Sequence, residues 1–387
     1  MTILVTLYSV AVCVLSAPDI QKLQDLRALA ATHEPASALC TLIEEDGAGA
    51  WPPRTDHDNW PLALRPYKSV YLELAPLLSA ATPSLDDATN RQRRHDYRSL
   101  MRKLLSQRIC TSQVEAVMAA VEAGNWDLFA RDAYNGFYSC IALLRHAYRW
   151  ALIPVVKVAQ EELTVDLPLE LDIPWLYLQR TFGVEADVGN HTSNVLLNFD
   201  KRRERIFKVN VTLNEEIQRA EDSFFWLFYD VEVQSCLESV KCVASDLRRL
   251  LMTFYENLHD SNIPRKFWLS YVQGFHGWGA GRMIDGKFVK YDGLSGNHIL
   301  IFQAIDAFLG LEPYLTDEDM YRYVPVNQRN LCRSLKKHCI REMLGQGTED
   351  RAIADEFSKI IHQMRVRIKP QEPLPKSYNR KIKLMDS

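Results

Sequence analysis

Between residues 133 and 163, the side chains of Tyr134, Phe137, Ile141, Leu144, Tyr148 and Leu152 return every three or four positions. At about 100° per residue, that spacing gathers them on one helical face, and the run is long enough to demand burial. A long buried helix, or a pair of helices, is the arrangement this stretch admits. The same period recurs elsewhere. Ser84-Leu85-Asp86-Asp87 reads as a capping box opening a charged helix through about Gln107. Ser112-Gln113-Val114-Glu115 reads as the start of another, stopped by Gly124. Prolines 154, 168 and 174 precede a short amphipathic segment from Trp175 to Phe182.

The C-terminal half keeps the helical period with a different texture. Ser223 to Leu258 mixes apolar and charged residues around Phe224, Phe225 and Trp226. The stretch HILIFQAIDAFLGL is apolar almost all round, Asp306 excepted, and ends at Gly310. Thr316 and Asp319 cap a further helix, Pro325 precedes another, and a last one starts near Thr348 and carries Ile353, Phe357, Ile360 and Met364. The fold class expected is therefore all-α. Residues 200–210 join the charged KRRER to IFKVNV and mark the expected boundary. The division read from this is an apolar segment 1–18, a small mostly helical domain 19–205 and a large helical domain 206–387.

Composition narrows the function. A net charge of −3 and a pI near 6.4 leave no basic surface of the kind that tracks nucleic acid. The eight cysteines include no C-x-x-C pair, so buried reduced thiols are expected. The run Ile3 to Leu15, followed by Ser16-Ala17-Pro18, has the look of a signal-peptide core without its basic n-region. It is too short to span a bilayer. Asn190-His191-Thr192 and Asn210-Val211-Thr212 are glycosylation triplets that would suit secretion. A cytoplasmic monomer without a membrane span is the expectation, with secretion as its alternative.

No G-x-G-x-x-G, Walker A, G-x-S-x-G or H-E-x-x-H occurs, and no histidine pairs with cysteine at metal-ligand spacing. Seven of the sixteen glycines fall between Gly274 and Gly296. Glycine at that density is expected to form a mobile loop, or backbone passing close to a ligand. A glycine-rich loop between aromatic-rich and buried helices suits a large flat ligand.

A set of short motifs, in order, goes further. Ala147-Tyr148-Arg149-Trp150, Ile173-Pro174-Trp175 and Val195-Leu196-Leu197-Asn198 come first. Arg265-Lys266-Phe267-Trp268-Leu269-Ser270-Tyr271-Val272 before Gly277-Trp278 follows, then Tyr291-Asp292-Gly293-Leu294-Ser295-Gly296. Phe302-Gln303, Asp306 and Leu309-Gly310, and Tyr323-Val324-Pro325-Val326-Asn327-Gln328-Arg329, complete the series. Over residues 130 to 367 this order resembles the indoleamine 2,3-dioxygenase family. The resemblance implies a haem b pocket in the large C-terminal domain and an oxidoreductase of tryptophan catabolism, the entry to the kynurenine pathway. Such an enzyme adds dioxygen across the indole C2–C3 bond to give an N-formylkynurenine-type product. In it the cofactor carries the hard chemistry, and the protein supplies a proximal histidine and a dry aromatic pocket.

Carried onto this chain, the resemblance places Phe228, Phe267, Trp268, Val272, His276, Ser295 and Gly296 around the indole substrate. Asp306 would pair with Arg367 and tune the proximal ligand. Two departures stand out. Val272 replaces the family arginine that forks onto the substrate carboxylate, and valine has no donor for that task; His276 is the nearby candidate. The family R-x-x-H ending falls on Arg367 and Pro370, and proline offers the iron no lone pair. His362 is the expected haem-iron ligand in its stead, although its register turns it away from the apolar stripe of the same helix. Three readings follow: an indole-opening dioxygenase, a relative with another indole substrate or reaction, and a paralogue impaired in haem binding.

Overall fold

A computed structural model describes residues 17–80, 84–151, 161–187, 189–198, 280–291 and 298–367. Helix dominates them. In chain order the helices are α1 (Ala17–Ala30), α2 (Glu34–Thr41), α3 (Arg65–Ala80), α4 (Asp87–Arg108), α5 (Thr111–Glu122), α6 (Arg131–Trp150) and α7 (Leu169–Phe182). After these come α8 (Leu300–Phe308), α9 (Asp317–Tyr323), α10 (Val326–Lys337), α11 (Ile340–Met343) and α12 (Thr348–Arg367). Two π-helical turns, Leu42–Asp46 and Thr192–Leu196, interrupt the α-helical pattern. A single antiparallel hairpin, β1 (Gly281–Ile284) with β2 (Lys287–Lys290), is the sheet among the described residues; Arg282 faces Val289 and Met283 faces Phe288.

Helix α6 is enclosed by the others. From Ala133 to Arg149 every residue except His146 is buried. Phe137 sits at its middle and receives the ring edges of Trp60 at 5.4 Å, Tyr67 at 5.4 Å and Phe129 at 5.8 Å. Tyr138 stacks on Phe182 of α7, with centroids 4.3 Å apart. The C-terminal carbonyls of α6 are capped from α4. Arg98 Nε donates to Tyr148 O at 2.9 Å and Arg98 Nη2 to Arg149 O at 2.6 Å, while Ala151 turns the chain out with φ of 42°.

The caps correct two sequence expectations. The N-cap of α4 is Asp86, whose carboxylate accepts from the Ala88 and Thr89 amides, while Ser84 Oγ accepts from the Asp86 amide outside the helix. A carboxylate next to the first free amides outcompetes a hydroxyl two residues further out. Helix α5 begins one residue before Ser112, with Cys110 at the cap position, and Gly124 follows it at φ of 93°.

Two apolar clusters form among the described residues. The first surrounds α6 with α3, α4, α5 and α7. The second joins Leu23, Leu26, Leu39, Ile43 and Trp51 to Ile305, Phe308, Leu331, Leu335, Phe357 and Ile360. Residues from near both ends of the chain share this second core, so a division at residue 205 cuts across it. The stretch 200–210 itself lies outside the described residues. None of the described helices is long and apolar enough to cross a membrane. Asn190 is fully buried and its Nδ2 donates to Tyr138 Oη at 3.0 Å, which leaves no room for a glycan on that nitrogen in the folded chain.

Gly136 allows α6 to touch the loop before α3. A Cβ at this position would lie 2.3 Å from Asp56 O, and that loop is held rigid by Asp56, which accepts from the Asp58 amide at 2.8 Å and the Asn59 amide at 3.0 Å. Gly136→Ala is expected to lower stability by about 1–3 kcal/mol, the usual cost of overpacking against backbone. Urea unfolding monitored by circular dichroism measures this; a midpoint equal to that of the parent chain would show that the loop yields.

Candidate functional site

Of the residues assigned to the ligand, Phe228, Phe267, Trp268, Val272, His276, Ser295 and Gly296 lie outside the described residues. The glycine-rich stretch, expected as a mobile loop, contains from Gly281 to Lys290 the ordered hairpin β1–β2. Gly286 serves its turn with φ of 76°, beside Asp285 at 48°. Gly281 is needed for another reason, since a Cβ there would meet Val289 O at 2.1 Å. Two of the seven glycines, Gly281 and Gly286, therefore belong to strand pairing and its turn.

Some motif residues meet where the hairpin approaches α6. Tyr291, 1% exposed, lies under the Arg149 guanidinium at 5.5 Å. The Trp175 ring is covered by Arg145 at 4.9 Å, and its Nε1 donates to Ala186 O at 3.2 Å. Arg329, the last residue of the Tyr323–Arg329 block, is a structural clasp that the sequence did not reveal. Its Nη1 donates to Val324 O at 2.6 Å and to Gly183 O at 2.7 Å, tying the α9–α10 corner to the end of α7. His298, at the near end of the 292–297 stretch, stacks on Tyr323 with centroids 4.0 Å apart.

Asp306 is 3% exposed on α8 and is not without a partner. It lies close enough to Cys332 of α10 to help raise that thiol, which burial first pushes up to about 12. A carboxylate inside the second core is costly unless it is engaged, so its retention there sets it apart from its apolar neighbours. The pairing expected with Arg367 concerns a side chain outside the description; the backbone of Arg367 ends α12.

His362, assigned to the haem iron, lies in α12. Ile353, Phe357 and Ile360 are buried, and Phe357 meets Phe308 at 5.7 Å, whereas His362 is exposed on the other face of α12. Among the described residues, no three or more His, Cys, Asp or Glu side chains are placed to hold a bare metal ion.

The cysteine expectation holds for Cys40, Cys140, Cys332 and Cys339, which are buried free thiols, and fails for Cys110, which is exposed. Cys110 occupies the first position outside α5 and so lies at a surface helix end. Burial lowers His146 to about 4 and His191 to about 3, so both are neutral near pH 7.

Asp46 is the most displaced carboxyl. It ends the first π-helical turn, accepts from Asn327 Nδ2 of α10 at 2.8 Å, and its own carbonyl accepts from Asn135 Nδ2 of α6 at 2.8 Å. Among the described residues no donor reaches its Oδ2. Burial raises it to about 7, against the Asn327 hydrogen bond, which pulls it down. Because the folded value lies above the unfolded one, its contribution is fully present below about pH 4 and is lost as pH rises through about 7. Asp46→Asn keeps the acceptor for Asn327 and removes the charge. It is expected to stabilise the fold at pH 8 by on the order of 1 kcal/mol or more, with a smaller gain at pH 5. Denaturation midpoints at the two pH values measure this; an equal effect at both would show that Asp46 stays ionised.

No protein-family model matches the chain, and no curated protein matches it.

Proposed function

We propose that this chain is a haem-dependent oxidoreductase of the indoleamine 2,3-dioxygenase type, which opens the C2–C3 bond of tryptophan or a related indole with dioxygen. The ordered motifs over residues 130 to 367 support the reading, and the observation that carries it is Asp306. The F-Q-x-x-D-x-x-L-G motif falls on one buried helix and keeps its single carboxylate inside the core. When bound, haem would supply the oxygen chemistry. The chain's own part in this reading is to bind and orient the indole and to exclude water, through Phe228, Phe267, Trp268, His276, Ser295 and Gly296. With Val272 at the arginine position, recognition of a free carboxylate falls to another group, which favours indoles lacking one.

A second reading has an observation of its own. The outward-facing His362 favours a helical paralogue that keeps the frame and holds no haem. Haem titration of the purified chain, followed by absorption, separates the two. The dioxygenase reading expects a saturable Soret shift, then oxygen uptake with tryptophan, tryptamine or indole. It also expects His362→Ala to leave the shift intact, because an exposed ring is not the ligand. No shift in the parent chain would overturn the dioxygenase reading. In that event Pro370→His, which restores the R-x-x-H ending, is the variant expected to gain haem.

A further inference from the structure

The hairpin β1–β2 is pinned at both ends of its base. Ala280 is fully buried and its carbonyl accepts from the Tyr291 amide at 2.9 Å. The Tyr291 hydroxyl donates to Val165 O. Gly281 exchanges backbone hydrogen bonds with the approach to α7: its amide donates to Leu163 O and its carbonyl accepts from the Val165 amide, each at 2.9 Å. Beyond this base the hairpin is exposed at Met283, Ile284, Lys287, Phe288 and Lys290.

One side chain of β1 reaches inward. Arg282 Nη1 donates to Asp172 Oδ2 at 2.9 Å, and Arg282 Nη2 to Asp187 Oδ1 at 2.9 Å. The same two carboxylates face Arg145 of α6. Arg145 Nη1 donates to Asp172 Oδ1 at 2.7 Å, and Arg145 Nη2 stands 3.6 Å from Asp187 Oδ1. Arg145 is further fixed by Asp187 O at 2.7 Å and Leu171 O at 3.0 Å. Two guanidiniums and two carboxylates thus alternate around a square that is neutral overall. The Arg145 side chain is fully buried, and the others are 12% to 23% exposed. At that depth, water screens the attraction weakly, and removing one member leaves a desolvated charge without its counterpart.

The position of the square in the chain gives it a use. Ala280 directly follows the stretch that carries Phe267, Trp268, Val272 and His276, and Tyr291 directly precedes the one that carries Ser295 and Gly296. Both stretches adjoin the hairpin base in the sequence, one at each strand. We propose that the Arg145–Asp172–Arg282–Asp187 square is a positioning clamp, fixing the hairpin base and with it the point of departure of both ligand-assigned stretches. Arg282 is a positioning residue in this scheme: it acts through the backbone on either side of it and touches no ligand. The link to a ligand rests on the proposed function; the clamp does not.

Hydrogen exchange by mass spectrometry on the full chain tests the clamp, comparing the parent with Arg282→Met and Arg282→Lys. With helix content unchanged by circular dichroism, Arg282→Met is expected to speed exchange about tenfold in the hairpin and in peptides from 262–279 and 292–299. Trypsin cleavage after Lys287 and Lys290 should accelerate by a similar factor. Arg282→Lys, which keeps one charge, should recover part of the protection. Faster exchange confined to the hairpin, or no change, would overturn the clamp. Should Arg282→Met fail to fold, Asp187→Asn gives the same comparison while leaving Arg282 its Asp172 partner. Haem and tryptophan titrations run beside it: where the parent binds, Arg282→Met should bind about tenfold more weakly, and equal affinity would remove the link to the ligand. A parent that binds neither overturns the proposed function, and the exchange data still decide the clamp.

Discussion

Arg145 stands fully buried in the most enclosed helix of the described structure, and much of the surrounding arrangement follows from the need to neutralise it. A guanidinium does not shed its proton on burial, so the fold must bring acceptors to it. It takes two carboxylates from α7 and the turn after it, two backbone carbonyls, and the face of Trp175. Those carboxylates then carry more negative charge than one guanidinium balances. Arg282 completes the set from the hairpin, and the strand pair is thereby tied to the helical body.

Two neutral side chains of α6, Asn135 and Tyr138, obey the same rule. Asn135 is buried and satisfied by Asp46 O at 2.8 Å and Arg54 O at 3.0 Å. Tyr138 is satisfied by Asn190, which accepts in turn from the Ser193 amide at 2.8 Å. The π-helical turns lie at these contacts, one ending in Asp46 and the other containing Ser193. A wide turn redirects side chains that a regular helix would point elsewhere, and here both deliver polar groups onto one buried helix. Asp46 is half satisfied, and burial makes its carboxyl favour the neutral form.

Four motif residues belong to the packing of the described structure. Arg149, Trp175, Tyr291 and Arg329 each cover a ring, hold a backbone carbonyl or fill the core around α6 and α7. None of them presents a reactive group to an open space. His362 lies exposed on α12, away from the stripe that packs into the second core.

The helices were legible in the sequence because a 3.6-residue apolar repeat has one economical solution in water. The stripe Ile353, Phe357, Ile360 placed both the core face of α12 and the exposure of His362. Gly124 and Gly310 marked helix ends, and each takes a positive φ that other residues resist. What the sequence left open required distance in the chain to be collapsed. The hairpin hid within a glycine count, because glycine in a strand and glycine in a loop look alike until a partner strand is known. Residues 23–51 and 299–360 share a core that no local pattern could announce. Arg145, Asp172, Asp187 and Arg282 carry no motif, and their meaning arises only when the fold places four charges from distant positions within hydrogen-bonding reach. Local periodicity is fixed by the chain itself; charge pairing across 110 positions, from Asp172 to Arg282, is fixed by packing.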